Sequence, residues 1–125
     1  MFITVTGGKL YQQKYVESMV EFCIETLMPR MRTLDINREF ELEIEKTQTL
    51  RRLLETVAHE MVHVKQFARR ELHPSNDEWY GKTYNPKKVS YWDLPWEIEA
   101  HGREVGLFVR WCEKHDYGSR AWSQL

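Results

Sequence analysis

His59-Glu60-Met61-Val62-His63 is the segment of this chain whose residue types and spacing most directly specify a chemistry. Two imidazoles four residues apart on a helix point the same way, and their nitrogens can converge on one zinc ion. The glutamate between them lies to one side of the pair. From there it can take a proton from a water that the metal has acidified. A helical wheel at ~100° per residue separates this arrangement from an ordinary amphipathic helix. Leu50, Leu53, Leu54, Val57, Ala58, Met61, Val64 and Ala68 form a core-facing arc. His59 and His63 fall nearly opposite, on a polar stripe with Arg52, Glu55, Gln66 and Arg70. The expected geometry is a helix whose back packs on the core while its front floors a cleft.

A catalytic zinc takes three protein ligands and leaves one position open. His73 and His115 read as solvated surface histidines. Cys23 and Cys112 lack metal-site spacing and sit among apolar neighbours, so they read as reduced core residues. Trp96-Glu97-Ile98-Glu99-Ala100-His101 offers two acids and a further imidazole at the start of a later helix. Glu97 and Glu99 are separated by about 200° of helix rotation, so only one of them can face a metal. Rotation alone does not say which.

Taken together, His59-Glu60-Met61-Val62-His63 and Glu97-Ile98-Glu99-Ala100-His101 resemble the gluzincin group of zinc metallopeptidases, in the form carried by small phage and bacterial enzymes of the ImmA/IrrE type. The resemblance covers roughly positions 47 to 110. It implies a zinc ion held by His59, His63 and Glu97, with Glu60 as general base. It also implies a minimal zincin-like fold of the α+β class, a small mixed or antiparallel sheet packed on about three helices. His101 stands where the family often has Asp or Asn behind the ligands. There it could orient a zinc-binding ring or carboxylate, ligate zinc itself, or hydrogen-bond a reaction intermediate. The metzincin extension would need Gly at 66 and His at 69, where this chain has Gln66 and Arg69. Peptide deformylase joins the same helix motif to an upstream Gly-Cys segment, and neither cysteine here has that setting.

Several elements must position these residues. Phe2 to Val5 is a short β-type run closed by Gly7-Gly8. Tyr15, Val16, Met19, Val20, Cys23 and Leu27 recur at helical spacing between about Lys9 and Met28, and Pro29 stops that helix. Apolar and acidic residues alternate from Leu34 to Glu45, predicting a long strand with one buried and one acidic face, bent near Asn37-Arg38. The four acids Glu39, Glu41, Glu43 and Glu45 read as a solvated face; a sharper reading lets this strand border the cleft and pair with a basic substrate. Thr47 or Thr49 can cap the histidine-bearing helix, which should run to about Glu71. Residues 72 to 95 read as a loop or irregular hairpin. Its aromatics either pin the loop down or wall the cleft. A third helix opens at Pro95-Trp96 and ends near Lys114, and Trp122 should anchor the tail. Tyr80, Tyr84, Tyr91, His101 and Arg103 are the candidate donors to a reaction oxyanion, and spacing selects none of them.

The 125 residues fit one domain, covering positions 1 to 125. Eighteen Lys plus Arg against 19 Asp plus Glu give a net charge of −1, so no strong field draws the chain to nucleic acid or anionic membrane. The apolar runs are too short for a transmembrane helix, and no signal-peptide pattern opens the chain, so a cytoplasmic setting is expected. Two function classes follow. One is a zinc peptidase acting on peptides or proteins. The other is a non-catalytic, metal-stabilised binding or regulatory protein on the same scaffold, against which the intact Glu60 argues.

Overall fold

A computed structural model describes residues 2–30, 39–45 and 48–124. Within them, strand β1 (Phe2–Gly7) leads through a short 3-10 turn into helix α1 (Gln13–Leu27), and the chain returns as β2 (Glu39–Ile44). Helix α2 (Leu50–Ala68), a small hairpin of β3 (Glu78–Trp79) and β4 (Lys82–Thr83), and helix α3 (Pro95–His115) follow. The class is α+β, with three helices and two small sheets.

The strands do not join into one mixed sheet. β1 and β2 pair in parallel, in register from Phe2 opposite Glu39 to Gly7 opposite Ile44, while β3 and β4 form a separate antiparallel ribbon. Parallel pairing requires a crossover, and α1 supplies it. Alternation along β2 has the expected consequence: Leu42 and Ile44 are buried, and Glu39, Glu41 and Glu43 are exposed. The Leu34–Ile36 part of the expected strand, its bend at Asn37-Arg38 and the alternative cap Thr47 lie outside the described residues. Thr49 caps α2 by accepting a hydrogen bond from the Arg52 amide at 3.2 Å. That helix ends at Ala68, earlier than Glu71, because Arg70 takes a left-handed conformation (φ 58°) and turns the chain. The β3–β4 hairpin is closed by Tyr80 and Gly81, both at positive φ as a two-residue turn of this hand needs.

Helix α2 is the centre of the molecule. It packs on α1 and β2 with one side and on α3 with the other, so Met19, Leu53, Leu54, Val57, Met61, Phe108 and Trp111 share one core. Parts of the polar stripe of α2 are therefore covered. Glu55 and Gln66 are buried, and Lys65 with them. The wheel treated one helix in isolation, whereas α3 lies across its polar stripe. Cys23 and Cys112 are free and buried, and burial pushes the Cys23 thiol up to about 12. Trp122 packs on the core beside Tyr15 and Tyr117. Among the described residues no helix is long and apolar enough to cross a membrane.

Where β1 meets the end of β2, Gly7 sits at φ 95°, and a Cβ there would run into the Ile44 carbonyl oxygen. Both effects oppose any side chain. Gly7→Ala should therefore cost about 2 kcal/mol or more, read as a lowered urea midpoint with unchanged slope.

Candidate metal centre

Helix α2 presents His59, Glu60 and His63 along one stripe, and the first turn of α3 faces them. Pro95 opens α3 with its fixed φ, and Leu94 before it is buried, which fixes the height at which that turn arrives. Glu97 Oε1 lies 3.1 Å from His59 Nε2 and 3.2 Å from His63 Nε2, and the two Nε2 atoms are 3.2 Å apart. Three donor atoms thus form a nearly equilateral triangle. Tetrahedral coordination at 2.0–2.1 Å would set such atoms roughly 3.3 Å apart.

The hydrogen bonds show which atoms of the triangle are acceptors. Gln66 donates through Nε2 to the Trp96 carbonyl (3.0 Å) and to Glu99 (3.0 Å), so its Oε1 is the acceptor facing His63 Nδ1 at 2.8 Å. His63 therefore carries its Nδ1 proton, and in the neutral ring its Nε2 is a lone pair aimed at a carboxylate oxygen. Two acceptors at 3.2 Å are held together only by something positive between them, a proton or a metal ion. Burial alone would pull the His63 pKa down, but contact with Glu97 and Gln66 outweighs it and holds the ring above its ordinary value. Glu97 shows the converse. Burial raises it, the hydrogen bonds from His59 and His63 outweigh that, and the carboxyl sits well below the usual carboxylate range. The donor set of two imidazoles and one carboxylate fits zinc in type as well as in spacing.

Glu99 is turned away from the triangle. Lys65 Nζ contacts its two oxygens at 2.8 and 2.7 Å, Arg103 lies on it at 3.0 Å, and Lys65 also reaches Glu71 at 2.7 Å. This cluster clamps α3 to α2. Burial raises the Glu99 carboxyl, and the bonds from Lys65 and Gln66 outweigh that and lower it. The structure therefore brings His59, His63 and Glu97 together and gives Glu99 and Arg103 to the clamp.

Glu60 and the three donors line one cleft of about 300 Å³, together with Phe67, Asn76, Tyr91 and Trp96. The Glu60 charge is felt by His63 and by Tyr91. Of the five candidate oxyanion donors, Tyr91 enters this cleft. Its hydroxyl lies 3.0 Å from Glu97 Oε1, to which it can donate, and 3.0 Å from His101 Nε2. Burial, then Glu97, pushes the phenol up to about 12, so it keeps its proton. Tyr80 is exposed on its hairpin, and Tyr84 packs edge-on against Trp96. The aromatic loop thus divides its work: Trp79, Tyr84 and Trp96 pin it through a small second core, and Tyr91 faces the cleft. No residue of β2 is among those that line this cleft. His73 bonds Ser75, and His115 lies 3.3 Å from Ser18, both exposed.

His101 stands behind the triangle. Its Nδ1–H donates to Glu104 Oε1 at 2.7 Å, and its ring centroid is 4.4 Å from that of His59. Glu104 is buried, lies 3.7 Å from His59 Nδ1, and is met by Arg52 at 3.5 Å. Sequence reasoning missed Glu104 and placed Gln66 on the polar stripe without assigning it a role. Both follow a histidine by three positions on a helix, His101 and His63, and that spacing was the available signal. The chain matches no protein-family model, no curated protein and no solved structure.

A pH dependence follows for metal-free protein. Glu97, lowered in the fold, stabilises above about pH 4.3 and loses that contribution as acid protonates it. His63, raised in the fold, stabilises below about pH 6.5 and loses its contribution as base removes its proton. With chelator present, thermal stability should peak between about pH 4.5 and 6.5. Glu97→Gln should flatten both flanks of that peak in a series of melting curves.

Proposed function

We propose that this chain is a zinc-dependent peptidase acting on peptide or protein substrates. The observation that carries the reading is the triangle of His59 Nε2, His63 Nε2 and Glu97 Oε1, open on a cleft that Glu60 shares. Zinc bound by these three residues would acidify water and polarise a scissile carbonyl. Glu60 takes the proton of the attacking water and later hands it to the leaving amine. Tyr91, a neutral phenol at neutral pH, donates a hydrogen bond to the oxyanion as charge develops on the carbonyl oxygen. His101 acts through Tyr91: Glu104 holds the ring, and the ring holds the phenol within reach of the site. Gln66 fixes the tautomer of His63, leaving Nε2 to bind.

Three donors beside an open cleft favour the enzyme over the binding-protein alternative, because a structural zinc site closes with a fourth protein ligand and needs no base. The substrate enters as an extended segment, since a cleft of about 300 Å³ holds only a few side chains. A cytoplasmic setting suits two buried, unpaired cysteines.

Glu60→Gln should keep one zinc per chain and lose at least about 100-fold in cleavage of a peptide library, with chelator abolishing what remains. Cleavage at the normal rate would make the assignment wrong. Tyr91→Phe should lower kcat by about 100-fold or more and leave KM within about threefold, since the phenol is assigned to the transition state rather than to substrate binding.

A further inference from the structure

A cavity of about 770 Å³ lies between β1 and α1 and shares no lining residue with the cleft at His59. Strand β1 and helix α1 line it and β2 does not, so it opens at the edge of β1 that β2 leaves free. Among the described residues no strand pairs with that edge, which leaves backbone N–H and C=O groups to receive one. Ile3 and Val5 form one apolar wall, and Val16, Val20 and Ile24 form the other as an i, i+4, i+8 row. Beside that row runs a second one, Glu17, Glu21 and Glu25. Lys114 pairs with Glu25 at 3.2 Å, while Glu17 and Glu21 are exposed and have no ion-pair partner among the described residues.

The spacings match an added strand. The apolar row on α1 repeats every four residues, or ~6 Å. Alternate side chains of a strand repeat at ~6.6 Å, so every second residue of a bound segment would meet Val16, Val20 or Ile24 in turn. The remaining side chains would emerge on the outer face of the sheet. There Thr4 is opposite Glu41 and Thr6 opposite Glu43, with both acids exposed. Negative charge therefore flanks the groove on both faces. A second copy of this chain is a poor occupant, because its own β1 carries no Lys or Arg and would bring acid rows against acid rows.

We infer that this groove binds an extended protein segment in which apolar residues alternate with Lys or Arg, added as a third strand on the free edge of β1. The apolar side chains fill the wall of α1. The basic ones emerge on the outer face and reach toward Glu41 and Glu43 across the short threonines. This surface is separate from the proposed peptidase site and stands whether or not that site cleaves.

The test uses full-length protein carrying Glu60→Gln, so that no cleavage consumes the probe. Four fluorescent octapeptides are titrated: one alternating Val with Lys, one alternating Val with Glu, and two Val-Lys forms N-methylated on alternate backbone nitrogens, one in each register. The Val-Lys peptide should bind saturably. Binding should weaken at least tenfold for the Glu peptide and for one of the two N-methylated registers. It should also weaken at least tenfold for protein carrying Glu41→Lys and Glu43→Lys, both exposed positions. Equal binding by the charge-reversed protein, indifference to N-methylation in both registers, or self-association through β1 that excludes the peptide would each overturn the inference.

Discussion

One contact governs the rest of the molecule: a carboxylate oxygen of α3 held at 3.1 and 3.2 Å from two imidazole nitrogens of α2. Left alone, such a cluster of acceptors opposes the packing of the two helices. It forms because the same interface supplies compensating bonds a turn away. Lys65 and Gln66 of α2 grip Glu99 and the Trp96 carbonyl, so α3 can take only the register that turns Glu97 inward. The residual conflict at the triangle is one that a positive charge between these atoms, a proton or a metal ion, would relieve.

A small domain has little stability to spare, and this one buries Glu55, His59, Lys65, Gln66, Glu71 and Glu104. Each of these groups costs several kcal/mol if left unpaired, roughly. Pairing comes partly from across the α2–α3 interface, where Glu97 meets His59, Glu99 meets Lys65 and Arg52 meets Glu104, and partly from near neighbours, Arg51 for Glu55, Lys65 for Glu71 and His101 for Glu104. The apolar core that α2 shares with α1, β2 and the later turns of α3 then carries the net stabilisation, with Trp111, Phe108, Met19 and Met61 fully or almost fully buried. The division has a functional sense. One side of α2 is a conventional core, and the other is a polar layer in which donor atoms, a candidate base and a phenol are held in fixed relation.

Much of this was legible from spacing. The His59/His63 pair, the opposition of Glu97 to Glu99 and the limits of α3 all follow from rotation per residue, a local property that the fold did not override. The alternation in β2 gave its faces for the same reason. What could not be read depended on long-range placement. The parallel pairing of β1 with β2 is not encoded in alternation, which is the same for either direction. Burial of Gln66 and the role of Glu104 appear only when α3 lies on α2, although each sits three residues beyond a histidine. The early stop of α2 came from a left-handed arginine, Arg70, a conformation that residue type does not announce. Tyr91 could not be chosen from its fellow aromatics because the loop that delivers it has no period.

The most direct test of the central claim is the coordination shell of the zinc-loaded protein, measured by metal analysis together with X-ray absorption. The account predicts one zinc per chain, bound by two imidazole nitrogens and carboxylate oxygen at about 2.0–2.1 Å, with the carboxylate contribution lost in Glu97→Gln. A chain that stays metal-free after equilibration with zinc, a shell containing sulfur, or a spectrum unchanged by Glu97→Gln would contradict it.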